Sequence, residues 1–112
     1  MHSVYIHIPF CKTICTYCDF CKVFYNEKFS TKYLQNLEKE ILSQYNNEIL
    51  DTIYIGGGTP SSLNQAELKK LFSITNIFQK SRKCEFTFES NIEDITLELL
   101  EILRANGVNR LS

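Results

Sequence analysis

The sequence predicts an α/β fold built on a parallel sheet, and three observations carry that prediction. A short run of β-branched and aromatic residues is followed by a longer run with helical spacing, and this pattern occurs three times in 112 residues. Neither low-complexity sequence nor an obvious linker interrupts it. Strand followed by helix in strict alternation implies right-handed βαβ crossovers and therefore parallel strands. Finally, the two segments richest in chemical character, a cysteine loop and a glycine run, each follow a predicted strand.

"SVYIHI" (residues 3–8) reads as the first strand and stops at Pro9. From Thr31 to Tyr45, Leu34, Leu37, Ile41 and Tyr45 recur at helical spacing, giving an amphipathic helix that ends near Asn46 and Asn47. "DTIYIGGG" (51–58) is a second strand running into glycines. Asn64, with Glu67 three positions later, has the form of a helix-capping pair, and Leu68, Leu71, Phe72 and Phe78 mark the second helix. "CEFTFES" (84–90) is the third strand. Thr96 to Asn106 is the third helix, with Leu99, Leu100 and Leu103 on one face and Gly107 placed to stop it. "NRLS" reads as the start of a fourth strand.

Alternation within the strands is informative. Strands covered on both faces read as continuous apolar runs, yet Val4, Ile6 and Ile8 alternate with Tyr5 and His7, and Phe86 and Phe88 with Thr87 and Glu89. One sheet face is thus expected to be polar: the concave side of an open barrel with a ligand inside.

Composition excludes several classes. The chain is 44% hydrophobic and 22% charged, as expected of one small domain. A net charge of -1 with scattered Lys and Arg argues against a nucleic-acid partner. Apolar runs are too short to span a bilayer and the N-terminus lacks a signal-peptide pattern, so no membrane association is indicated and a cytoplasmic location is expected. In a reducing compartment, five cysteines serve better as ligands or buried thiols than as disulfides.

Four of the five, Cys11, Cys15, Cys18 and Cys21, fall in one loop. Three thiolates suit a [4Fe–4S] cluster with one iron left open to a ligand. The alternative is a structural zinc ion held by all four thiolates. Cys84 begins a strand away from this loop and reads as a core thiol, and Glu85 beside it is expected to play no part. In "YIGGGTPSSL" (54–63), Gly56, Gly57 and Gly58 allow a ligand close to the backbone and are expected to leave amide N–H groups available to bind it.

With "VYIHIPFCKTICTYCDF", "YIGGGTPSSL", "FESNIEDIT" and "GVNRLS" in that order, the sequence resembles the radical S-adenosylmethionine (SAM) superfamily. More narrowly, it resembles the oxygen-independent coproporphyrinogen III oxidase family, including its heme-chaperone (HemW-like) branch. The resemblance covers the whole chain. It implies the N-terminal half of a partial TIM-like (βα)6 barrel, with about three βα units and the start of a fourth strand in residues 1–112. It implies Cys11, Cys15 and Cys18 as cluster ligands, which makes zinc a minor alternative and Cys21 a spare thiol. It further implies Tyr5 and Tyr17 as aromatic neighbours of the cluster and SAM, and Gly57, Gly58, Thr59 and Glu89 as SAM contacts. The activity implied is one-electron cleavage of SAM to a 5′-deoxyadenosyl radical, driven by an outside reductant such as flavodoxin or ferredoxin. The implied partner is heme or a porphyrinogen.

Two departures bear on function. Ile92 stands where the family typically has proline, a local change in a turn. In the oxidase branch a fourth cysteine lies two residues after the third; here that position is Phe20, in "CDF", which is similar to the chaperone branch. A chain stopping inside its fourth strand is expected to be an N-terminal part of the radical SAM core domain, inactive and aggregation-prone by itself, with later SAM and substrate contacts supplied by the rest of the barrel.

Overall fold

The computed structural model describes residues 2–11, 23–24 and 27–112; Cys15, Tyr17, Cys18, Phe20 and Cys21 lie outside them. The elements run β1 (Ser3–Ile8), β2 (Phe10–Cys11), β3 (Val23–Phe24), α1 (Glu27–Gln44), β4 (Ile49–Gly57), α2 (Gln65–Thr75), β5 (Gln79–Phe88), α3 (Leu97–Ala105) and β6 (Arg110–Leu111). Short 3₁₀ turns at Pro60–Ser62 and Ile92–Asp94 follow β4 and β5. Among the described residues, no helix is long and apolar enough to cross a membrane.

The main sheet has the order β1-β4-β5-β6, with every pairing parallel, as the strand–helix alternation requires. β2 and β3 form a separate two-residue parallel pair, in which Cys11 lies opposite Phe24. The strand register places Tyr5 beside Tyr54, Tyr54 beside Thr87, and Thr87 beside Arg110. With a side-chain period of two, Ile6, Ile8, Ile53, Ile55, Phe86 and Phe88 share the other face and are all at most 2% exposed.

That apolar face is covered by the helices. Phe72 of α2 sits 6.2 Å from the Phe86 ring and 6.0 Å from the Phe88 ring, Leu34 of α1 is 1% exposed, and Leu99 and Leu103 come from α3. Full burial of each such side chain contributes about 1.5–3 kcal/mol. Cys84 belongs to this core at 8% exposure. The capping pair is formed in both directions: Asn64 Oδ1 accepts the Glu67 N–H at 2.8 Å, and Glu67 Oε1 accepts the Asn64 N–H at 2.9 Å. Glu67 is 5% exposed, and its other oxygen accepts the Ser30 hydroxyl, tying α2 to α1. At the end of α3, Gly107 takes φ 92°, the left-handed conformation that ends a helix at low cost with glycine.

Three strands and helices start earlier than expected, β4 at Ile49 among them, and α2 ends at Thr75, short of Phe78, which packs in the core ahead of β5. α1 starts at Glu27, ahead of the periodic apolar stretch. β5 starts at Gln79, where the polar run "QKSRK" hides a strand that pairs with Ile49 and Leu50.

Candidate functional site

Glu89 follows directly on β5, where its N–H donates to the Ile55 carbonyl at 3.0 Å and so holds it against the end of β4. Its carboxylate reaches across the glycine turn. Gly57 N–H donates to Oε1 at 3.0 Å, and the Tyr54 hydroxyl donates to Oε2 at 2.5 Å. Each oxygen therefore takes one donor from the protein and keeps lone-pair capacity for a donor from a ligand.

The glycines supply space. A Cβ at Gly56 would stand 2.7 Å from Tyr54 and 2.8 Å from Glu89, and one at Gly57 would stand 2.7 Å from the Ile8 carbonyl and 2.8 Å from His7 Nδ1. Gly57 also has φ 118°, which side-chain-bearing residues rarely adopt. The expectation of available amides is corrected at these positions. Gly58 N–H donates to Ile8 O at 2.7 Å and Thr59 N–H to Phe10 O at 2.8 Å, while Gly57 N–H is on Glu89. These amides fasten the turn to β1 and β2, because backbone donors withdrawn from water must find partners within the protein.

Tyr5 lies on the polar face, 58% exposed, with its ring stacked on Tyr54 at 5.7 Å and 24°. Its hydroxyl is 3.2 Å from His7 Nδ1. Partial burial, then the Glu89 carboxylate, then Tyr54 raise the Tyr5 phenol above its ordinary value of 10.0, so it is a neutral hydroxyl at physiological pH. Thr87 shares this face but is 1% exposed and closed to a ligand. Glu85 lies in the C-terminal half of β5, four residues before Glu89, where it is paired with Arg110 at 2.8 Å.

Gly58, Thr59, Glu89, Ser90, Asn91 and Ser112 line a cavity of about 210 Å³ at the C-terminal rim of the sheet. Ser61 braces its wall by accepting the Asn91 N–H at 3.2 Å and donating to Asp94 at 2.8 Å. A larger cleft, about 430 Å³, runs between β1 and α1 past Tyr33, Leu37, Ile41 and Phe78. Tyr5 and His7 line it too, but Glu89 and the glycine turn do not, so the smaller rim cavity is the better candidate for a polar ligand.

The structure thus brings Tyr5, Gly57, Gly58, Thr59 and Glu89 to one rim, adjoining the β2 strand that contains Cys11. Cys15, Cys18 and Tyr17 lie outside the described residues. Among the described residues no group of three His, Cys, Asp or Glu is placed to hold a metal ion. Sequence reasoning did not single out Tyr54. The signal was present, since Thr52, Tyr54 and Gly56 alternate with the buried Ile53 and Ile55 as Tyr5 alternates with Ile6.

An α/β half-barrel with an acidic and aromatic rim above a glycine turn defines the class, and sequence comparison agrees: residues 5–112 match the radical SAM superfamily. The chain belongs to that superfamily, whose members in general use an iron–sulfur cluster and SAM. It is 47% identical to the heme chaperone HemW of Bacillus subtilis (strain 168), an alignment covering 100% of this chain and 31% of the relative. It is 35% identical to the oxygen-independent coproporphyrinogen III oxidase of Escherichia coli (strain K12), covering 98% of this chain and 25% of that one. The solved structure of the Escherichia coli coproporphyrinogen III oxidase (HemN), a radical SAM enzyme, superposes with a TM-score of 0.86 at 34% identity, over 97% of this chain and 26% of that chain. The fold is accordingly the N-terminal part of a radical SAM barrel, and the chain spans less than a third of the length of these relatives.

Proposed function

We propose that Cys11, Cys15 and Cys18 hold a [4Fe–4S] cluster, that Tyr5, Tyr17, Gly57, Gly58, Thr59 and Glu89 receive SAM beside it, and that the whole protein is a heme chaperone. The residues suit the ligand. Glu89 offers a fixed carboxylate with acceptor capacity for hydroxyl or ammonium groups, Gly56 and Gly57 keep the approach clear, and the Tyr5 ring gives an apolar and aromatic surface. A bound cluster and SAM supply one-electron chemistry, and the protein's part is to orient them and exclude water.

The observation that carries the chaperone reading is Phe20. It puts an apolar ring where the oxidase branch has a further sulfur. The 47% identity to a heme chaperone, against 35% to an oxidase, supports the same choice. The second reading is oxygen-independent coproporphyrinogen III oxidation. It draws on the same cluster and SAM residues and on an electron donor such as flavodoxin or ferredoxin.

One anaerobic experiment separates the two. The reconstituted whole protein, with SAM and reductant, is followed for protoporphyrinogen formation by fluorescence after oxidation and is titrated with heme by its Soret band. Heme binding with negligible turnover is expected. Turnover well above that of a Cys15→Ala control establishes the oxidase instead.

A further inference from the structure

Tyr54 lies on β4, which is paired on one side with β1 and on the other with β5, so its backbone is held from both edges. Its ring is fixed as well. One side stacks on Tyr5, and Cε1 lies so near Gly56 that a Cβ there would approach within 2.7 Å. From this fixed position its hydroxyl donates to Glu89 Oε2 at 2.5 Å and lies 3.5 Å from Ser112 Oγ.

Glu89 is less constrained by itself. It stands one residue beyond the end of β5, and its long side chain has several rotamers of similar energy. The Gly57 N–H fixes only Oε1. A second donor on the other oxygen sets the plane of the carboxylate, and with it the direction of the remaining lone pairs. Tyr54 is absent from the lining of the rim cavity, so it acts on the ligand through Glu89.

We infer that Tyr54 is a positioning residue for the SAM site, holding the Glu89 carboxylate in the orientation that receives SAM. The inference rests on the reading of Glu89 as a SAM contact. Tyr54→Phe removes the hydroxyl and keeps the stacked ring, so the fold and the support of Tyr5 are retained.

The test is a double-mutant cycle on the reconstituted whole protein. SAM dissociation constants are measured by equilibrium dialysis for wild type, Tyr54→Phe, Glu89→Gln and the double variant, with iron content and thermal midpoint recorded on the same samples. Tyr54→Phe should weaken SAM binding about tenfold, as loss of a residue orienting a ligand contact commonly does. In the Glu89→Gln background the same change should cost about twofold or less, because the group it orients has been altered. An equal loss in both backgrounds, or none in either, overturns the positioning role while the SAM site stands. Equal SAM affinity of wild type and Glu89→Gln overturns the SAM reading and this inference with it.

Discussion

Gly56 and Glu89 face each other so closely that a Cβ on the glycine would lie 2.8 Å from the carboxylate Oε1. At Gly57, the next residue, a Cβ would lie 2.7 Å from the Ile8 carbonyl, and φ is 118°. The two positions therefore differ in kind. At Gly56 the obstacles are side-chain atoms: the Tyr54 ring, which its stacking on Tyr5 holds in place, and the end of the Glu89 side chain, which can move. At Gly57 the obstacles are the Ile8 carbonyl, the His7 ring and the backbone conformation itself.

Gly56→Ala should consequently fold, with some loss of stability where the new methyl meets the held Tyr54 ring, and lose SAM affinity because Glu89 is displaced. Gly57→Ala should lower stability by about 1–3 kcal/mol through strain at a positive φ, seen as a lower melting temperature of the whole protein. Thermal melting and SAM dialysis on both variants check this. A Gly56→Ala protein that binds SAM as tightly as wild type would place Glu89 outside the site.

The cysteine spacing makes a separate prediction. After anaerobic reconstitution, about four irons per chain are expected of a [4Fe–4S] site with an open position. Cys11→Ala, Cys15→Ala and Cys18→Ala should each abolish the cluster, and Cys21→Ala should leave it intact. Iron analysis and the visible absorbance of the four variants decide between this and a closed four-cysteine zinc site, which would need Cys21 as much as the others.

Cys84 should behave differently from the loop cysteines. Burial in the core, opposed in part by Lys80 and reinforced by Asp51, raises its thiol above the ordinary value of 9.0. Because the folded value lies above the unfolded one, this group's contribution to stability is present below pH 9 and is lost as pH rises through the raised value. In a variant with the other four cysteines changed to Ala, alkylation by iodoacetamide should be slow at neutral pH and fast after unfolding in urea. Mass spectrometry reads the outcome; rapid labelling of the folded protein at neutral pH would contradict it.

Most of the architecture was legible because its signals are local. Strand β1 is bounded by Pro9, α2 by its Asn64–Glu67 capping box, and α3 by Thr96, which accepts the Leu99 N–H at 3.1 Å, and Gly107. The start of β5 was not legible, since "QKSRK" carries no alternation and is a strand only through pairing with Ile49 and Leu50. The site divides in the same way. Glu89 and the glycines could be placed on one rim from strand order and period. The engagement of the Gly58 and Thr59 amides with Ile8 and Phe10 depends on how β1 and β2 pass beneath the turn, and no spacing in the sequence encodes it.

The β4–β5 ladder slips partway along its length. Leu50 pairs with Lys80 but Thr52 pairs with Glu85, so residues 81–84 stand against the single residue Asp51. Ser81, within this slack, has a buried side-chain oxygen with no hydrogen-bond partner among the described residues. Above it, Glu85 through Phe88 pair in unbroken register with Thr52 through Ile55, beginning next to Cys84, which is held in the core. The irregularity thereby separates two stretches of ladder: a lower one that joins β5 to Ile49 and Leu50, and an upper one that carries the strand to Phe88 and sets the Glu89 amide on the Ile55 carbonyl.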